Sequence, residues 1–202
     1  MRTIFDRFGA SMLRIHEDFH LGCLALVFID QRPFSADVVL PLPLIKNTVP
    51  ATWLNGLRSD QRDEYENALL RHLLNDMVLA YERYATTMYL SHTFGRVLTE
   101  PAAKATRGLK PSAFERLKGV YSKADLDFLI QLRRLRNTIV HYNGLYNTSN
   151  SLDYAFGSQH LRSIGNEGKP VEVTDYNVNL WILNRLGIAV KSVDEAYFAQ
   201  YP

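Results

Sequence analysis

The sequence predicts an all-α protein: a four-helix bundle preceded by an N-terminal extension that is part helix, part irregular chain. Three observations carry this expectation. Apolar residues recur at three- and four-residue steps through three long stretches. Pro33, Pro41, Pro43 and Pro50 crowd residues 30–56 and forbid a long helix there. A serine cap and a glycine stop bracket one helix over residues 122–144.

Residues 3–29 set Ile4, Phe5, Phe8, Met12, Ile15 and Phe19 near helical spacing, whereas the apolar run 24–29 fits either a continued helix or a strand. Residues 38–40 suit a short edge strand in an irregular arm, so residues 1–56 are set apart as an extension to a bundle over 57–202. The first long helix is expected over 60–92, capped by Ser59 or Asp60. Tyr65, Leu69, Leu73, Met77, Ala80, Tyr84 and Met88 line its apolar face, and Arg62, Glu66, Asp76 and Arg83 its polar one. Pro101 marks the end region, and a short helix is expected near 112–120. Ser122-Lys-Ala-Asp125 reads as a capping-box-like start, with Asp125 in place of the usual Glu. Phe128, Leu132, Leu135, Ile139 and Tyr142 then form one stripe, and Gly144 stops the helix. Residues 146–172, rich in Asn, Ser and Gly, form a loop with room for a hairpin. Thr174 or Asp175 opens a last helix carrying Val178, Ile182, Leu186, Ala189 and Val193.

Composition narrows the class. An apolar fraction of 47% over 202 residues is enough for a packed core and argues against wholesale disorder. Cys23 is the only cysteine, which excludes an internal disulfide and a multi-cysteine metal site and fits a reducing compartment. The N-terminus mixes charges too early for a signal peptide, and the longest apolar run, residues 21–29, is too short to span a bilayer. The expectation is a cytoplasmic protein with no membrane partner. Net charge is only +2, but residues 104–136 hold nine Lys or Arg against three acids, which leaves the rest of the chain at −4. Such a basic segment on a mildly acidic body either attracts a polyanion to one face or is simply a solvated surface.

The most informative string is Arg136-Asn-Thr-Ile-Val-His141, on the helix that begins at Ser122. This Arg-Asn-x-x-x-His pattern resembles the signature of the HEPN (higher eukaryotes and prokaryotes nucleotide-binding) superfamily. There four to six residues separate an Arg from a His, often with a polar residue directly after the Arg; here four residues lie between Arg136 and His141. The likeness covers the motif helix, extends loosely over 60–198 and says nothing of residues 1–56. It implies a HEPN-like four-helix bundle that dimerises. It also implies a metal-independent endoribonuclease of the toxin–antitoxin or phage-defence kind, or else a non-catalytic module that binds RNA, nucleotide or a protein partner. An antitoxin or other regulatory protein belongs to the first implication.

The chemistry stands without the family. Cutting RNA with neither metal nor cofactor needs a base near the 2′-hydroxyl and a cation for the charge that builds on phosphate. Histidine titrates near neutrality and suits the first task; the planar fork of arginine suits the second. His141 and Arg136 take those roles, with Asn137 able to orient the imidazole or touch substrate. Arg133 and Arg134 are candidate contacts to the RNA backbone. Tyr142 is either a stacking surface for a base or the end of the apolar stripe. The structural alternatives are a satisfied interface histidine, an Arg136 paired with an acid on another helix, and an Asn137 that caps or bridges helices. Helical geometry sets Asn137 and His141 about 40° apart around the axis but Arg136 and His141 about 140° apart. One straight helix does not aim both at one phosphate, so a homodimer with a composite site is expected.

His16-Glu-Asp-Phe-His20 spells His-Glu-x-x-His, a zinc-hydrolase pattern. Too little chain precedes it for a substrate-binding sheet, and no third ligand is marked, so it reads as the polar face of an N-terminal helix. His72, His92 and His160 stand alone. Gly108 and Gly119 lack the spacing of a phosphate loop, and Ser-His-Asp catalysis has no local signature.

Overall fold

The computed structural model describes residues 2–30, 35–41, 46–56, 59–94, 119–173 and 175–198. Residues 112–118 of the expected short helix lie outside them. So do Pro33, Pro43, Pro101, Thr174 and five cations of the basic window, Lys104, Arg107, Lys110, Arg116 and Lys118. The described chain is mostly helical. In order it forms α1 (Arg2–Asp30), β1 (Val38–Pro41), β2 (Lys46–Val49), α2 (Ala51–Gly56), α3 (Ser59–Thr93), α4 (Lys123–His141), β3 (Asp153–Phe156), β4 (Gln159–Arg162) and α5 (Tyr176–Phe198). None of these helices is long and apolar enough to cross a membrane.

α3 is the central element, touching α1, α4 and α5. Its Leu74, Met77, Tyr81 and Met88 are fully buried and meet Phe128, Leu129, Leu132 and Leu135 of α4 and Val178, Ile182, Leu186 and Val193 of α5. Met77, Met88, Phe128, Leu132, Leu135 and the α5 residues stand in the stripes that three- and four-residue spacing marks; Leu74, Tyr81 and Leu129 lie beside those stripes, and Tyr65, expected on the apolar face of α3, is exposed. Ile4 and Met12 of α1 join the same core. The 24–29 run continues as helix, although Leu21, Leu24 and Val27 face solvent.

Two hairpins punctuate the helices. β1 pairs antiparallel with β2, Val38 opposite Val49 and Pro41 opposite Lys46. Proline at the strand end donates no hydrogen bond, consistent with a two-stranded ribbon that stops there. β3 pairs with β4 through a Gly157 turn at φ +63°, and its Phe156 and Tyr154 rings pack towards Trp181 and Phe128. Asp175 caps α5, its carboxylate accepting from the Asn177 amide at 2.8 Å.

Candidate functional site

α4 carries every sequence-predicted site residue or leads directly into it. Ser122 caps the helix: its hydroxyl oxygen accepts from the Asp125 amide at 3.1 Å, and the hydroxyl donates to the Asp125 carboxylate at 2.6 Å. The other Asp125 oxygen accepts from Arg185 of α5 at 2.7 Å, so the cap is also tied to a second helix. At the far end Asn143 (φ 54°) and Gly144 (φ 74°) turn left-handed, and the Gly144 amide donates back to Ile139 at 3.1 Å. That is the glycine stop in atomic terms.

The motif residues sit on the solvent side of this helix. The His141 imidazole is exposed and makes no hydrogen bond with any described residue. Arg136 is half-buried. Its Nη1 donates to the Asn137 side-chain oxygen at 3.1 Å, and its Nε is buried with no partner. Neighbouring helical residues point about 100° apart, so this bond needs the long arginine side chain to curl around the axis. It brings the guanidinium head to Asn137, which lies one turn before His141 on the adjoining line of the helix. No hydrogen bond joins Arg136 to His141.

The outer candidates have distinct surroundings. Arg133 stands 3.9 Å from the Glu82 carboxylate of α3, a loose and exposed pair that leaves the guanidinium available. Arg134 is half-buried, and its main-chain carbonyl is engaged twice: it accepts from Thr138 at 2.9 Å and from the Asn150 amide at 2.6 Å. The Tyr142 hydroxyl meets Ser149 at 3.1 Å and its ring is half-exposed, at the edge of the stripe rather than inside it.

Several residues around the motif carry no local sequence signal. Thr138 is fully buried, and Asn150 bonds both its hydroxyl and the Arg134 carbonyl. Ser163 receives the Leu152 amide and donates to the Asn150 carbonyl. Together they clamp the 142–152 segment against α4. On the other flank Arg71 of α3 lies against Gly144, where a Cβ would fall 2.6 Å from its Nη1. Arg71 and Gly144 at one end, and Glu82 and Arg133 at the other, set α3 and α4 antiparallel and hold the motif between them. These partners come from positions 11 to 73 residues away in sequence, so only the fold assembles them.

The His-Glu-x-x-His string is helical. His16 bonds through Nδ1 to the Met12 carbonyl at 2.9 Å and His20 to the His16 carbonyl at 2.7 Å. Among the described residues no three metal-ligating side chains come together. His160 pairs with Asp153 across the β3–β4 hairpin at 2.7 Å, and the His92 ring lies 4.6 Å from that of Tyr197.

No family model, no curated protein and no solved structure matches this chain.

Proposed function

We propose that the chain is a metal-independent endoribonuclease of HEPN type, acting in the cytoplasm as a toxin or phage-defence effector. Its helices α3, α4 and α5, with the short helix expected near residues 112–120, would make up the four-helix bundle of that class. The observation that carries the reading is the Arg136–Asn137 hydrogen bond one turn before an exposed His141 that bonds no described residue. A cation held near a free imidazole is what transesterification at a phosphodiester needs.

In this reaction His141 takes the proton of the ribose 2′-hydroxyl, and that oxygen attacks the adjacent phosphorus. The bond to the 5′-oxygen breaks, leaving a 2′,3′-cyclic phosphate and a 5′-hydroxyl, whose proton comes from water or a second imidazole. Arg136 holds the non-bridging oxygens, Asn137 fixes its head, and Arg133 and Arg134 contact flanking phosphates. Tyr142 offers a half-exposed ring to a base.

A homodimer is the natural setting. Ile130, Val140 and Leu145 are exposed large apolar residues flanking the motif on α4 and just beyond it. Burying them against a second copy would bring two motif helices together and let one protomer's Arg136 serve the other's His141. An antitoxin or regulatory protein covering the same face would silence the site.

The second reading is a non-catalytic module that binds RNA, nucleotide or a protein partner, favoured by the absence of a direct Arg136–His141 contact. Total RNA incubated with the protein, with and without EDTA, separates the two. EDTA-resistant cutting lost in a folded His141→Ala supports the enzyme. Salt-dependent binding without cutting supports the module. If RNA is neither cut nor bound, the enzyme and the RNA-binding form of the module both fall.

A further inference from the structure

α1 has two apolar sides. Phe8, Met12, Ile15 and Phe19 turn towards the core, where Phe8 meets Tyr84 of α3 and Phe19 stacks on Tyr176 of α5. About 140° around the helix, Ala10, Leu13, Glu17, His20, Leu24 and Val27 are all exposed. Leu13 and Leu24 are each 63% exposed and Val27 57%. Single exposed leucines are ordinary on a protein surface. These residues are not scattered: they step by three, four, three, four and three, the alternation that forms one seam between two paired helices.

The spacing reads the same from either end, about a midpoint between Asp18 and Phe19. An antiparallel copy of α1 therefore faces Ala10 with Val27, Leu13 with Leu24 and Glu17 with His20. The ends of such a seam are apolar, and the polar pair falls near the middle, once on each side of the two-fold axis. Glu17 forms no ion pair with any described residue. His20 donates from Nδ1 to the His16 carbonyl at 2.7 Å, since a carbonyl oxygen only accepts. Nε2 is the nitrogen left for a partner, and a carboxylate opposite it complements the protonated ring. A parallel copy would instead set Glu17 against Glu17. Polar residues at seam positions fix register and orientation in this way.

We propose that α1 pairs antiparallel with α1 of a second copy of this chain through this stripe. Leu13, Leu24 and Val27 bury apolar surface from both copies, and two Glu17–His20 contacts select the orientation. Leu21, 64% exposed, borders the stripe and extends its apolar edge. The pairing uses the side of α1 turned away from the core. It does not draw on the α4 motif and stands whether or not RNA is cut.

Sedimentation velocity on the full chain tests this. The parent self-associates at about 100 µM. Glu17→Lys and His20→Glu, both at exposed positions, each weaken that association about tenfold or more with unchanged circular-dichroism melts. An equimolar mixture of the two variants restores it, because each altered charge then meets its opposite. Crosslinking in a Cys23→Ser background reads the orientation. Ala10→Cys mixed with Val27→Cys forms a disulfide-linked heterodimer, and neither crosslinks alone, since like positions lie about 25 Å apart along the paired helices. The proposal is overturned if the parent stays monomeric, if either charge variant associates like the parent, if the mixture fails to recover, or if Val27→Cys crosslinks to itself. None of these changes touches α4, so the RNA assays decide the ribonuclease reading separately.

Discussion

Arg136 and Asn137 are consecutive residues whose side chains are hydrogen-bonded, Nη1 to Oδ1 at 3.1 Å, across a helical step that normally separates them. The guanidinium is therefore held, not free to sample solvent. Its Nε is enclosed without a partner among the described residues, so Asn137 supplies the restraint at the head of the side chain. In this chain the polar residue after the arginine holds the arginine head.

On the proposed ribonuclease reading, Asn137→Ala should weaken RNA cleavage without unfolding the protein. Misplacing a catalytic cation by about 1 Å costs on the order of tenfold to a hundredfold in rate. Asn137 is half-buried, so the melting temperature should move by about 2 °C at most. Single-turnover cleavage of a labelled RNA measures the first effect and calorimetry the second. Cleavage at the parent rate would show that Arg136 does not rely on its neighbour.

Gly144 predicts a backbone effect. At φ 74° a non-glycine residue is strained, and an added Cβ would sit 2.6 Å from Nη1 of Arg71. The arginine tip can swing away; the backbone cannot. Gly144→Ala should cost about 1–2 kcal/mol in urea unfolding, chiefly from the left-handed conformation. Asn143→Gly, at φ 54°, should be neutral or mildly stabilising there. Equal stabilities for Gly144→Ala and the parent would mean that the helix ends differently in solution.

Asp125 joins a cap to an ion pair. Its side chain is 10% exposed, and the Arg185 guanidinium it binds also lies 5.5 Å from the Phe128 ring centre. Asp125→Ala removes the carboxylate that accepts from the Ser122 hydroxyl, keeps the backbone amide bond to Ser122, and leaves Arg185 uncompensated among aromatic rings. The expected loss is about 3 kcal/mol. Adding Arg185→Met should restore about 1 kcal/mol or more, since the stranded charge is gone. Chemical denaturation of the two single variants and the double closes the cycle. Strict additivity would show that the pair contributes no coupling.

The helices were legible because their signals are local. Ser122, Asp125 and Gly144 bracket α4, and the stripes of α3 and α5 repeat often enough to average out exceptions. Position 125 was legible as a cap residue but not as the partner of Arg185, which lies 60 residues away. The apolar run 24–29 was ambiguous because length and hydrophobicity suit either element, and the exposure of Leu24 and Val27 would not have resolved it. The β1–β2 ribbon was half visible: prolines exclude a helix but do not choose a strand partner. For the site, residue types and spacing marked Arg136, Asn137 and His141. The clamp of Thr138, Asn150 and Ser163 was invisible, because a buried hydroxyl and an amide from a loop carry no periodicity.

Asp194 of α5 gives a pH-dependent prediction. One of its carboxylate oxygens is buried without a partner, and its pKa is raised, first by burial and then by the charge of Glu195. A raised native pKa means that the folded chain holds this proton more tightly than the unfolded chain. The group therefore favours folding at low pH, and that contribution is lost as pH rises from the ordinary carboxylate value through the raised one. At pH 7 the ionised group opposes folding, and its charge also lies near the buried Tyr84 phenol, whose own pKa it helps to raise. Asp194→Asn mimics the protonated acid. It should melt about 2 °C above the parent at pH 7, with the difference shrinking as pH falls towards about 4. Scanning calorimetry of both proteins across that range checks the sign. A variant that melts below the parent at pH 7 would mean that the ionised carboxylate is stabilised by a partner, and a difference that grows on acidification would reverse the linkage.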